Sequence, residues 1–128
     1  MNKPISIAVD AMGGENSPSK VIKGIEIHSL ETNDVFYNIY GNENFIEPLL
    51  KKTKIPNDIN KIIHTENIIE DSDSALSAAK KGKDTSMWLS IESVKKEESH
   101  AIVSAGNTGA LFVIAKINLK IFLVSQLN

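Results

Sequence analysis

The sequence predicts an α/β fold built on a parallel sheet. Three observations carry that expectation. Short apolar runs recur along the chain: ISIAVD at 5–10, VFYNIY at 35–40, KIIHT at 61–65 and AIV at 101–103. Between them, apolar residues repeat at helical spacing, which gives the β-α-β-α-β rhythm of right-handed parallel crossovers. Two of the runs end in small-residue turns, DAMGG at 10–14 and SAGNTGA at 104–110. A buried strand that turns through glycine into a helix marks the carboxyl edge of such a sheet, where ligands of open α/β folds sit.

The first run ends in Asp10, Gly13 and Gly14, so a carboxylate and a double glycine stand at the strand's carboxyl end. Ser17-Pro18 then reads as an N-cap followed by proline at the first helical position. Val21, Ile22, Ile25 and Leu30 form that helix's apolar stripe, with Gly24 open to close packing. The second strand is closed by Gly41-Asn42. Phe45, Ile46, Leu49 and Leu50 predict a short helix ending near Lys52, and 55–58 is a turn into the third strand. Residues 66–73 are acidic and irregular.

Asp73 or Ser74 caps a helix through Ala75, Leu76, Ala78 and Ala79. It runs into Lys80, Lys81, Gly82 and Lys83, which form either an anion-binding edge or a solvated helix end that complements the dipole. Residues 84–86 start a further helix, with Met87, Leu89, Ile91 and Val94 apolar and an end near Glu98. The fourth strand follows as a buried one. After it, Gly106 and Gly109 let backbone approach a ligand, and Asn107 or Thr108 caps a helix running to about Lys120. That helix leaves its first N–H groups free for an anion. Gly106 as a plain turn and Asn107 as a plain cap is the simpler alternative.

Bulk properties bound the function. At 128 residues, 41% apolar and 23% charged, this is one globular domain, large enough to bury roughly two-thirds of its unfolded surface. A net charge of −2 gives no nucleic-acid footprint. Cysteine is absent, which excludes disulfides and thiol nucleophiles and fits a reducing cytoplasm. Residues 1–14 hold no apolar core of a secretory signal. All 14 basic residues are lysine, so an anion site must use lysine and backbone N–H groups in place of an arginine fork. His28, His64 and His100 lie far apart without metal-ligand spacing, and no metal is assigned. Ser104 lacks a G-x-S-x-G frame, and no G-x-G-x-x-G or Walker loop follows the first strand. The stretch 110–127 is apolar, but Lys116 and Lys120 interrupt it, so a core helix is expected rather than a membrane span, with a membrane-surface helix as the alternative.

Three segments together, IAVDAMGGE, KKGKDTSM and VSAGNTGAL, resemble the bacterial phosphate acyltransferases of the PlsX type. The resemblance covers residue 5 to about 120 and leaves 121–128 as a divergent tail. It implies an acyltransferase of phospholipid synthesis, forming acyl phosphate from fatty acyl carrier protein and inorganic phosphate without a cofactor. It also implies a three-layer α/β sandwich like that of the isocitrate/isopropylmalate dehydrogenase group, a homodimer, and a cytoplasmic enzyme that associates with the membrane surface. On this resemblance Ser104, Gly106, Asn107, Thr108 and Gly109 wall the phosphate or acyl site. Asp10, Gly13 and Gly14 line the neighbouring loop, and Lys81, Lys83 and Ser86 form the anion edge. No catalytic base is named. The family pattern has aspartate after the double glycine, where this chain has Glu15. Family members are well over twice as long, so the chain is expected to be a truncated portion, inactive or nearly so on its own. Two rivals stand beside this reading: a non-catalytic module that joins a partner chain, and a phosphotransacetylase-like enzyme acting on acyl-coenzyme A.

Overall fold

A computed structural model describes residues 4–119. Four strands form one parallel sheet: β1 (Ile5–Asp10), β2 (Val35–Gly41), β3 (Asn60–His64) and β4 (Ala101–Ser104). Their spatial order is β3-β2-β1-β4. The helices are α1 (Ser19–Glu31), α2 (Glu43–Lys51), α3 (Ala75–Lys81), α4 (Ser86–Lys95) and α5 (Thr108–Leu119), with a single 3₁₀ turn at Asn57–Ile59. The expected tail, 121–128, lies outside the described residues.

Strand order explains the layers. From β1 the chain steps to β2 and β3 in one direction, so right-handed crossovers put α1 and α2 on one face. It then jumps back past β1 to β4, which puts α3 and α4 on the other. Two apolar clusters follow. Val9, Ile22, Ile25, Ile39 and Ile46 fill the α1–α2 side. Met87, Trp88, Ile91, Ala110 and Ile114 fill the α3–α4–α5 side. The result is a helix–sheet–helix sandwich.

Alternation along the strands sorts the polar residues. Ile7 and Val9 face α1, while Asp10 points to α4, as do Asn38 and Ser104 on the neighbouring strands. Under α4 the buried serines Ser86, Ser90 and Ser93 keep that helix close to the sheet. Ser90 and Ser93 donate to carbonyls one turn back, so their hydroxyls are satisfied without water.

Several expectations need correction. Ser17 is not the cap of α1: Pro18 occupies that position, and the Ser17 hydroxyl donates to the Gly13 carbonyl at 2.6 Å, serving the loop instead. Leu30 is 70% exposed: the buried stripe of α1 ends at Ile25, and in the last turn it is His28 that reaches the sheet, at Tyr37. Helix α4 stops at Lys95, short of Glu98. Glu97 takes a left-handed φ of 62°, and the N–H groups of Glu98 and Ser99 return to the Ser93 carbonyl, which closes the helix end. Strand β4 is only half buried, with Val103 55% exposed, because among the described residues it has a strand on one side only. Helix α5 is a core helix on its inner side, burying Ala110, Ile114 and Asn118. Among the described residues no helix is long and apolar enough to cross a membrane.

Candidate active site

The site lies where the chain reverses its direction of travel across the sheet, between the carboxyl ends of β1 and β4. Asp10 is its organiser. Its side chain is 2% exposed and accepts three hydrogen bonds. Ser86 Oγ donates to Oδ1 at 2.6 Å, Ser104 Oγ donates to Oδ2 at 2.8 Å, and the Met12 N–H reaches Oδ1 at 3.2 Å. One carboxylate thus joins β1 to the start of α4 and the end of β4. Ser104 Oγ also accepts from the Gly106 N–H at 3.1 Å, so the clamp extends into the next turn.

The glycines are required by a loop–loop contact. A Cβ on Gly13 would fall 2.7 Å from Asp10 Oδ2 and 3.0 Å from the Gly106 Cα. Gly14 has φ of +93°, and a Cβ there would lie 2.7 Å from the Ala105 carbonyl oxygen. The β1–α1 and β4–α5 turns therefore lie backbone against backbone. Gly13, Gly14 and Gly106, expected as surfaces for a ligand, also touch the opposite turn.

Asn107 caps α5 and does a second task. Its Oδ1 accepts from the Ala110 N–H at 3.1 Å, while Nδ2 donates to the Asp73 carbonyl at 2.6 Å and, at longer range, to those of Glu70 and Asp71. The 66–73 segment is stapled to the α5 N-terminus in this way. Both ends of the Asn107 amide are used, which leaves the N–H groups of Thr108 and Gly109, in the exposed first turn of α5, without an intrahelical acceptor. A polarised helix start with two open N–H groups attracts an anion.

Residues 5–124 match the family described as fatty acid synthesis protein. The chain belongs to that family. Its relatives include the phosphate acyltransferase of Pelagibacter ubique, 50% identical over 120 residues, which are 94% of this chain and 35% of the relative. The phosphate acyltransferase of Parvibaculum lavamentivorans is 42% identical over 121 residues, covering 94% of this chain and 34% of the relative. That of Azorhizobium caulinodans is 39% identical with the same coverage, 94% and 34%. The chain spans about a third of the length of these curated relatives.

In this member of the fatty acid synthesis protein family the lysines stand apart from the clamp. Lys81 Nζ pairs with Asp73 at 2.6 Å. The Lys81 ammonium, with help from the Glu70 N–H, holds the Asp73 carboxyl below the usual aspartate range. Lys81 also borders a small polar hollow with Asn67, Asp84 and Thr85. Lys83 is exposed and makes no ion pair among the described residues. Thr85, expected only as one of three residues at a helix start, is the cap of α4, which frees Ser86 for Asp10. Two contributors escaped the sequence reading. Ser17 ties down the glycine loop, and Asp73 anchors the acidic segment through its backbone and its side chain. Neither carries a local motif. Among the described residues no three His, Asp or Glu side chains gather as metal ligands.

Proposed function

We propose that this chain is the amino-terminal portion of a phosphate acyltransferase that moves a fatty acyl group from acyl carrier protein to inorganic phosphate. The chain then supplies the phosphate-holding part of the site. The observation that carries this reading is the open start of α5, with the Thr108 and Gly109 N–H groups unpaired among the described residues beside a rigid glycine junction, in a chain 50% identical to a phosphate acyltransferase. The finer fold group, similar to the isocitrate/isopropylmalate dehydrogenases, belongs to the same proposal, as do a homodimer of the longer protein and a cytoplasmic location at the membrane surface.

The chemistry asks little of these residues beyond placement. A phosphate oxygen attacks the thioester carbonyl carbon; the C–O bond forms, the C–S bond breaks, and the thiolate of the carrier leaves. Phosphate is itself the nucleophile, so no enzyme nucleophile is needed. Orienting it accounts for a large part of the rate. Thr108 and Gly109 hold phosphate oxygens; Lys81 is neutralised by Asp73, and Lys83, with no ion pair among the described residues, adds the positive charge. Asp10, Ser86 and Ser104 are positioning residues, because the two hydroxyls are spent on the carboxylate. Asn107 positions the α5 start from the other side. The oxyanion of the thioester carbon is met by groups from the remaining two-thirds of the longer relatives, so this chain alone turns over slowly or not at all.

The test has two readouts. Titration with inorganic phosphate, followed by calorimetry and by thermal melting, is expected to show weak saturable binding that Thr108→Pro abolishes. An assay with palmitoyl carrier protein, palmitoyl-coenzyme A and phosphate is expected to give no acyl phosphate from this chain. Absence of any phosphate response sinks the site assignment. Turnover at the rate of a full-length relative sinks the expectation of inactivity, and turnover on the coenzyme A thioester alone moves the assignment to a phosphotransacetylase.

A further inference from the structure

A cleft of about 460 Å³ opens at the carboxyl edge of the sheet and runs back between α1 and the strands β1 and β4. Its lining is sorted by position. At the carboxyl end stand Glu15, Ser17 and Lys20, with the Ser104–Ala105 turn. Further in come Val9, Val21, Gly24 and Val103. Val9 and Val103 are register partners on adjacent strands, so they lie side by side on the floor. At the far end are Ile7, Ile25, His28 and Tyr37. There the Tyr37 hydroxyl and His28 Nδ1 are hydrogen-bonded to each other at 2.6 Å. The cleft has a polar mouth, an apolar barrel and an end wall whose phenol is already engaged.

That order fits an amphipathic chain entering from the strand ends, the side from which ligands approach open α/β sheets. The volume falls within the range of ligand pockets, about 300–1,000 Å³. From Asp10 back to Ile7 the floor runs three residues, about 10 Å. A zigzag of C–C bonds near 1.5 Å advances roughly 1.25 Å per carbon, so the floor accepts about eight carbons. Val103 is 55% exposed, which leaves hydrocarbon surface open for such a chain to cover.

Charge selects the head. Asp10 and Glu15 set two carboxylates against the single ammonium of Lys20 in this lining. A free fatty acid would bring a third carboxylate there. A thioester carbonyl is neutral, and Lys20, with no ion pair among the described residues, is the donor for it. The Ser17 hydroxyl is spent on the Gly13 carbonyl. The mouth also adjoins the candidate site: Ala105 precedes Thr108 by three residues, at most about 11 Å of chain. We propose that the cleft seats the fatty acyl chain of the thioester, with its carbonyl at Lys20 and the next eight or so carbons along Val9 and Val103 to the His28–Tyr37 wall. This deepens the proposed acyl transfer to phosphate and rests on it for the identity of the acyl donor.

The test uses butanoyl, hexanoyl, octanoyl, decanoyl and dodecanoyl thioesters of N-acetylcysteamine, small neutral stand-ins for the carrier-bound acyl group. Each is titrated below its micelle concentration into the 128-residue chain and followed by calorimetry, with inorganic phosphate titrated separately. Affinity is expected to rise up to roughly fourfold per methylene and to level off at about eight carbons. Decanoate is expected to bind roughly tenfold or more weakly than the decanoyl thioester, from the like charge at the mouth. A Cβ on Gly24 meets nothing within 4 Å, so Gly24→Leu fills the barrel at a helix position where leucine is the better helix former. It is expected to weaken octanoyl thioester binding roughly tenfold or more and to leave the phosphate response unchanged. Val103→Asp, on the half-exposed floor, is expected to do the same by charge, and Gly24→Leu reports even if Val103→Asp unfolds. Affinity that ignores chain length overturns the inference. So does a chain-length dependence that survives both variants, which places the chain elsewhere, and so does decanoate binding as tightly as the thioester. Thioester affinity that falls as the protein is concentrated assigns the cleft to a second copy and also overturns it. Phosphate binding without any thioester response defeats this inference and leaves the proposed function standing. Thioester binding lost in Gly24→Leu, without any phosphate response, supports the cleft and defeats the phosphate site.

Discussion

Gly13 and Gly106 lie backbone against backbone: a methyl on Gly13 would stand 3.0 Å from the Gly106 Cα and 2.7 Å from Asp10 Oδ2. The two turns that form the crevice are thus one packed unit, and the shape of the site depends on both residues lacking a side chain. Gly13→Ala is expected to destabilise the chain by about 1–3 kcal/mol, the cost of overpacking a rigid contact. Gly24→Ala, on the same loop's helix but facing open space, is expected to stabilise by up to about 1 kcal/mol. Urea unfolding followed by the fluorescence of Trp88, the single tryptophan and 5% exposed, reads both. Equal effects from the two alanines would refute the loop–loop contact.

The three-way clamp at Asp10 is expected to behave as a unit. Removing the carboxylate with Asp10→Ala strands the Ser86 and Ser104 hydroxyls and the Met12 N–H, at a cost of roughly 3 kcal/mol. Ser86→Ala removes one donor and is expected to cost about 1–2 kcal/mol. In the Asp10→Ala background, Ser86→Ala is expected to cost much less, because its partner is already gone. The double-mutant cycle in urea checks this. Strict additivity would mean that the 2.6 Å bond between them contributes nothing.

Much of this architecture is written locally. ISIAVD forms β1 over the whole run from 5 to 10, and Ser74 caps α3 as its position before an apolar helix implies. The junctions at 10–14 and 104–109 mark the crevice because glycine beside a strand end is a local signal. What the sequence conceals is pairing across long separation. Nothing near Gly13 announces Gly106, so its need for glycine reads as room for a ligand. Asn38, a polar residue inside an apolar strand, becomes intelligible only when its amide is seen donating to Ser99 at 2.9 Å. Val103 reads as buried because an apolar strand normally is. Its exposure depends on whether a neighbouring layer exists, and residue type carries no such information.

Asn107 offers a test of the site that separates capping from stapling. Asn107→Asp keeps an oxygen for the Ala110 N–H but loses the donor to the Asp73 carbonyl. It also sets a negative charge against three carbonyl oxygens and beside the open N–H groups. The α5 helix is expected to persist, while the 66–73 segment loosens and phosphate affinity falls by roughly tenfold or more from the like charge. Asn107→Ala loses cap and staple together, at about 1–2 kcal/mol. Hydrogen exchange of the 66–73 amides, measured alongside phosphate titration, distinguishes the two. An unchanged affinity in Asn107→Asp would place the anion elsewhere.

Acid is expected to release the same segment by a different route. The Lys81 ammonium, and then the Glu70 N–H, hold the Asp73 carboxyl below its usual range. A depressed carboxyl contributes stability that is fully present above its unfolded value, about 3.9, and is lost as pH falls through the lower folded value. The segment is therefore expected to stay protected near neutrality and to loosen only below about pH 4. Asp73→Asn should remove that acid-dependent step while keeping the backbone bond from Asn107, which goes to the Asp73 carbonyl and not to its side chain. The effect is modest, since Lys81 is partly in solvent and the pair is screened. Amide exchange at 66–73 across pH 3–6, corrected for intrinsic rates, reads it in both proteins. An acid step that survives Asp73→Asn would assign the release to another carboxylate of the acidic segment.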